Sequence, residues 1–291
     1  MSRFAPLLLL ASLLVLGSHQ APSAADDYRG FGAPHLVTIR GYDGHAMEPF
    51  LTCDGRYLLF NNLNDPKENT NLHYAEGNDD LTFDYKGEIR GVNTAALEGV
   101  PSMDQDGRLY FVSPRSYGET FSTIYRGRFK DGSVDGVELV PGVSRQQPGV
   151  VNFDVEISGD GKTMYTVDAL FEGGGPKTAD FAIAIRDGTG FTRDPKSREI
   201  LEHVNTGALE YAADLSADGL ELFFTRVNSP PTSPPAIFRA ARTSQDGPFE
   251  TPQRVAGPTG FVEASTLSHD GTTIYYHTKE RGRFVIYCMK R

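Results

Sequence analysis

The clearest pattern along the chain is a burst of apolar residues that returns five times behind the same turn signal. The bursts are Tyr57 to Phe60, Leu109 to Val112, Met164 to Val167, Leu222 to Thr225 and Ile274 to Tyr276. Near-continuous aromatic and aliphatic runs of this length suit strands covered on both faces. Each follows an Asp-Gly pair: Asp54-Gly55, Asp106-Gly107, Asp160-Gly161, Asp218-Gly219 and Asp270-Gly271. Glycine takes a positive φ without a Cβ clash and aspartate bonds its own backbone, so each pair predicts a tight turn between two strands. Thr52, Asp104, Ser158, Ser216 and Ser268 stand two residues before each aspartate. They are placed to add a second local hydrogen bond, which gives them a turn role rather than a catalytic one.

The turn aspartates are 52, 54, 58 and 52 residues apart. A period of that size means one supersecondary unit per copy. A second Asp-Gly follows the first glycine by 25, 27 and 28 residues, at Gly132, Gly188 and Gly247, which predicts four strands per unit with turns after the first and third. After Gly271 only 20 residues remain, room for strands Thr273 to Thr278 and Phe284 to Met289 but not for an outer one. His35 to Arg40 reads as a strand left over at the other end. The expected fold is therefore all-β, a five-bladed β-propeller closed by an N-terminal strand that completes the last blade and leaves fewer exposed edges. Six blades is the alternative, with Asp43-Gly44 the only candidate for a further turn.

These repeats resemble the WD40-like (PD40) propeller repeat of the TolB type over nearly all of the chain beyond its first 25 residues. The resemblance is clearest from Glu48-Pro49 through Phe60 and from Phe261 through Tyr287, where strand, Asp-Gly turn and the Ile286-Tyr287 strand stand in order. Asp246-Gly247 followed by Pro248-Phe249 and Pro252 also resembles that family's connection between blades. The resemblance implies a propeller and little about activity, because the repeat serves proteins of unrelated function. Two departures stand out: six blades are common in TolB-like propellers, and this chain has no tryptophan, tyrosine and phenylalanine taking its place.

Composition adds an address and a charge. Arg3, the apolar run Phe4 to Leu16 and the small residues Ser23-Ala24-Ala25 read as a cleaved export signal, too short to span a bilayer. The expected organisation is a signal peptide over 1–25 and a single propeller domain over 26–291, in the periplasm or outside the cell, with no membrane anchor after cleavage. A net charge of −10 without a basic cluster excludes nucleic acid as a partner. Cys53 and Cys288 sit near opposite ends, which a ring brings together. A disulfide locking the ring is conceivable, and two separate buried thiols is the favoured reading.

In a propeller the innermost strands line an axial channel whose mouth is the usual binding surface. Carboxylates gather on or just ahead of the strands preceding each turn: Glu48, Asp154, Glu156, Glu210, Asp214 and Glu263. Glu48, Asp154, Glu210, Asp214 and Glu263 are the candidate ligand-binding residues for a protein, peptide or glycan partner of a non-enzymatic binding module. The alternative is a carbohydrate-active, glycoside hydrolase-like enzyme, with Glu48, Asp154 and Glu263 as the catalytic candidates, since glycoside hydrolysis needs two carboxyl groups across the bond. No cofactor is expected. An acidic ring admits a divalent cation such as calcium, although no ordered calcium loop is present and no metal ligand is assigned. His35, His45, His73, His203, His269 and His277 are scattered, without zinc spacing, and no Gly-x-Ser-x-Gly elbow or phosphate loop occurs. Two loops, Asn61 to Asn71 and Asn228 to Pro235, are expected at the same end of the ring; the second carries four prolines and reads as a stiff extended segment.

Overall fold

The Asp-Gly turns close through the bonds that their residue types allow. The turn glycine donates its N–H to the carbonyl three residues back in all five copies, at 2.7–3.0 Å. The hydroxyls of Thr52, Ser158, Ser216 and Ser268 donate to the turn aspartates at 2.6–2.7 Å and accept the N–H of the residue opening the next strand. In the second copy the Asp104 carboxylate takes over the hydroxyl's acceptor role, receiving the N–H of Arg108 at 2.8 Å.

A computed structural model describes residues 27–65, 69–228 and 232–291; the expected export signal, and Pro230 and Pro231 of the proline-rich loop, lie outside these residues. The first copy contains β3 (Met47–Leu51), β4 (Tyr57–Asn61), β5 (Leu72–Asp79) and β6 (Thr82–Glu88), preceded by β1 (His35–Leu36) and β2 (Thr38–Arg40). The second contains β7 (Gly99–Met103), β8 (Arg108–Val112), β9 (Ile124–Lys130) and β10 (Ser133–Leu139), with the single-turn helix α1 (Tyr117–Thr120) in a loop. The third has β11 (Val150–Val151), β12 (Val155–Ile157), β13 (Thr163–Glu172), β14 (Gly175–Asp187), β15 (Gly190–Arg193) and α2 (Ser197–Ile200). The fourth has β16 (Leu209–Leu215), β17 (Glu221–Val227), β18 (Ala236–Ala241) and β19 (Gln253–Arg254), and the last β20 (Val262–Leu267), β21 (Thr273–Glu280) and β22 (Arg283–Lys290). Within each copy the strands pair antiparallel, in sequence order except that β11 and β12 both pair with β13, and no helix among the described residues is long and apolar enough to cross a membrane.

The apolar bursts are the second strands, and their alternate residues leave on opposite faces. Leu58 and Phe60 of β4 pack with Tyr275, Ile286 and Cys288 of the last sheet, while Tyr57 and Leu59 pack with Leu109 and Phe111 of the second. Tyr110 and Val112 meet Met164 and Ala184, Tyr165 and Val167 meet Leu222 and Phe224, and Phe223 meets Ile274 and Tyr276. Five apolar clusters among the described residues thus join sheet to sheet in a cycle, and each fully buried side chain contributes roughly 1.5–3 kcal/mol. The innermost strands touch in the same cyclic order, β3 to β7, β12, β16, β20 and back to β3.

The leftover N-terminal strand is not one strand but two. His35 and Leu36 pair antiparallel with Cys288 and Tyr287 on the edge of the last sheet, whereas Thr38–Arg40 runs parallel to Thr82–Asp84 on the edge of the first. The division falls at Val37, whose side chain is buried between the two sheets and whose N–H bonds the Ile286 carbonyl at 2.9 Å. The chain therefore stitches the two sheets together instead of completing only one. Cys288 is buried beneath this junction, Cys53 is half-buried elsewhere against the Met103 carbonyl, and both are free thiols, so the two form no disulfide with each other.

Candidate functional site

The axis is shaped by an irregularity that recurs in the innermost strands. Glu48, Val100, Ala212 and Ala264 all have φ between 49° and 54°, and each lies seven residues before its turn glycine. Register breaks between Met47 and Phe50, Gly99 and Ser102, Tyr211 and Asp214, and Glu263 and Thr266 mark the same places as β-bulges. A left-handed non-glycine residue costs roughly 1–3 kcal/mol, so the surroundings must hold it.

They do so through side chains of the preceding sheet. The Val100 N–H donates to Asn61 Oδ1 at 3.1 Å, Ala264 to Thr225 Oγ1 at 3.0 Å, and Glu48 to His277 Nδ1 at 3.2 Å. Asn61, Thr225 and His277 each stand six residues after a turn glycine, the polar end of an otherwise apolar second strand. In the third copy that position is Val167, which has no acceptor, and Asp154 Oδ2 receives the Ala212 N–H instead, at 2.5 Å. The same device operates between the last sheet and the first as between sequence neighbours.

Four carboxylates line the void at the centre: Glu48, Asp154, Glu156 and Asp214. They come from three of the five copies, on β3, the β12 segment, which supplies two, and β16, and each is at most 8% exposed. The void measures about 20 Å³, little more than one water needs. Several of their oxygens are already committed to hydrogen bonds within the fold. Glu48 Oε1 accepts from Asn64 Nδ2 at 2.8 Å, and Glu156 accepts from Ser102 Oγ at 2.7 Å and from the Leu215 N–H at 3.3 Å. Asp214 Oδ2 is buried with no hydrogen-bond partner. Burial raises Glu48, Asp154 and Glu156 above the usual carboxylate range, with Asp214 adding to the shift of Glu156, and burial pushes Asp214 itself up to about 7.

Glu263 joins the cluster at the rim, accepting a short hydrogen bond from the Tyr211 hydroxyl. Glu48, Glu263 and fully buried His277 each bring a possible ligand atom within 4.8 Å of the others, a spacing compatible with a metal. The imidazole argues otherwise. Its Nδ1 accepts the Glu48 N–H, so the neutral ring carries its proton on Nε2, 3.4 Å from Glu263 Oε2 and without the alignment of a hydrogen bond. A protonated nitrogen has no lone pair to give a cation.

Glu210 is not part of this cluster. It is fully buried near the start of β16, paired with Arg226 at 2.7 Å, and accepts from the Thr206 hydroxyl and N–H. Glu98 does the same for Thr94 and Ser113. Both end a repeated heptapeptide, Val92-Asn93-Thr94-Ala95-Ala96-Leu97-Glu98 and Val204-Asn205-Thr206-Gly207-Ala208-Leu209-Glu210. Its asparagine pairs with the main chain of a neighbouring strand, Asn93 with Leu72 and Asn205 with Phe181. This connector was the sequence signal that separates Glu210 from the axial acids. The polar residue six beyond each turn was the signal for Asn61, Thr225 and His277.

No protein-family model matches this sequence, and no curated protein matches it either. Solved structures do share the fold. A family 117 glycoside hydrolase, Zg3597 from Zobellia galactanivorans, is 13% identical with a TM-score of 0.58, covering 90% of each chain. A putative exo-β-1,3-galactanase from Bifidobacterium bifidum is 10% identical with a TM-score of 0.57, covering 88% of this chain and 91% of that one. A putative TolB from Agrobacterium tumefaciens is 15% identical with a TM-score of 0.50, covering 89% and 84%. The chain spans 54% of the length of the TolB of Acinetobacter baumannii, at a TM-score of 0.45. At these identities the likeness defines the class, an all-β protein with the TolB-like propeller fold, and assigns no activity.

Proposed function

We propose that this chain is an exported, five-bladed propeller, closed by β1 on β22, that acts as a binding module and receives a cationic group of a protein or peptide partner at its acidic axial mouth. The observation that carries the reading is the axial void itself: four buried carboxylates line it, and none of its lining residues is lysine, arginine or histidine. Buried acids without a counter-charge are costly, and a cationic ligand relieves that cost. Arg3, the apolar run behind it and Ser23-Ala24-Ala25 support export.

The second reading, a glycoside hydrolase, draws support from the galactanase and family 117 neighbours and from the closeness of Glu48 and Glu263. Retaining enzymes place their two carboxyl groups about 5–5.5 Å apart. Space and commitment weigh against it. A void of about 20 Å³ is far below the roughly 300–1,000 Å³ of ordinary ligand pockets, and Asp154 and Glu48 each spend an oxygen on the fold.

Pull-down from an envelope extract tests the proposal, comparing the mature wild type with the Glu48→Gln, Asp154→Asn double variant. Specific capture by the wild type and its loss in the folded double variant is expected. Equal capture by both removes the axial mouth from the account. Incubation with plant and bacterial polysaccharides is expected to release no reducing ends; turnover that Glu48→Gln abolishes would install the hydrolase reading instead.

A further inference from the structure

The binding reading leaves open which cationic group the axis accepts, and on that reading the geometry points to a primary ammonium: we propose that a lysine side chain or a chain's amino terminus inserts its –NH3+ among Glu48, Asp154 and Asp214. Three observations select it. The first is size. A void of about 20 Å³ admits one water-sized group. An ammonium head is that size, whereas a planar guanidinium, a quaternary amine or a sugar ring is larger.

The second is the number of acceptors. Glu48 has given one oxygen to Asn64, Asp154 accepts the Ala212 and Val155 N–H groups, and Glu156 has given both oxygens, to Ser102 and Leu215. Asp214 Oδ2, on a residue only 4% exposed, has no partner at all and lines the void. The lone pairs left on Glu48, Asp154 and Asp214 suffice to accept the three N–H donors of an ammonium. Calcium asks for six to eight oxygens, more than remain. The third is His277, whose Nε2–H stands at the rim beside Glu263 with no acceptor in hydrogen-bond alignment. That protonated nitrogen is useless to a metal, which favours an ammonium over a divalent cation beside Glu48 and Glu263.

Binding and proton release are then linked. The groups facing the ammonium are Glu48 from β3, Asp154 and Glu156 from the β12 segment, and Asp214 from β16, with Glu263, Tyr211 and His277 at the rim. Burial favours the protonated acids in the free protein, so the cation must compete with protons and binds more tightly as pH rises.

Calorimetry and thermal-shift titration of the mature protein with n-butylammonium, guanidinium, tetramethylammonium and calcium chlorides at constant ionic strength provide the test. One saturable n-butylammonium site is expected, at least tenfold tighter at pH 8 than at pH 5.5 and weakened at least tenfold by Asp214→Asn and by Glu48→Gln. The exposed-site control Glu250→Gln is expected to bind as the wild type does. Equal responses to all cations, a calcium site that excludes n-butylammonium, or no saturable binding each overturn the proposal. Acetyl-Gly-Gly-Lys-amide and Gly-Gly-Gly-amide as competitors separate a side-chain from an amino-terminal source. Partner capture that survives chemical acetylation of the extract's amines would leave the binding module standing and remove the ammonium.

Discussion

Asp214 shows how far a single buried acid can steer the molecule's response to pH. Its carboxyl holds a proton up to about pH 7 when folded, against 3.8 as the reference value. The folded state therefore binds more protons than the unfolded chain between those values, and stability falls as pH rises through that window. Glu48, Asp154 and Glu156 shift in the same direction. The melting temperature without added amine is expected to be several degrees higher at pH 5.5 than at pH 8, a change of about 1 kcal/mol being worth roughly 2–4 °C at this size. Asp214→Asn is expected to raise stability at pH 8 and flatten the profile; an unchanged slope would mean that Asp214 ionises normally. Gly142 offers a contrasting residue-scale test. Its φ is +83°, and a Cβ there would run into the Phe191 carbonyl oxygen, so Gly142→Ala is expected to cost about 3 kcal/mol in chemical denaturation.

Elements were legible in proportion to how local their causes are. The Asp-Gly turns and the double-faced second strands depend on adjacent residues, and they fold as the pattern of Gly, Asp and apolar runs indicates. The segment His35 to Arg40 has the composition of one strand, but its partition depends on two sheet edges distant in sequence and on Val37 wedged between them. Glu210 illustrates the same limit. As an acid near an innermost strand it resembles Asp214, yet Arg226, across the β16–β17 pair, claims it. Glu210→Ala leaves that guanidinium without its carboxylate and is expected to destabilise by about 3 kcal/mol, at the low end for a broken buried pair. The same variant is expected to retain n-butylammonium affinity, measured by calorimetry. A loss of affinity with stability intact would return Glu210 to the site.

At the scale of the whole molecule, the axial cluster exists only because the last sheet lies against the first. His277 and Glu263 reach Glu48 across more than two hundred residues of sequence. Repeat spacing made the repeated β-sheet units legible, and the acids were visible as a set, but the size of the void and the commitment of individual oxygens follow from distances that no one-dimensional pattern holds. Ring closure has a direct chemical test, because β1 places His35 opposite Cys288. Neighbouring residues on paired antiparallel strands fall within the Cα separation that a disulfide accepts. In a His35→Cys variant under mild oxidation, a disulfide to Cys288 is expected, leaving Cys53 as the titratable thiol and raising stability by about 4 kcal/mol through the long loop it closes. A variant that keeps all its thiols titratable after unfolding would contradict the closed ring.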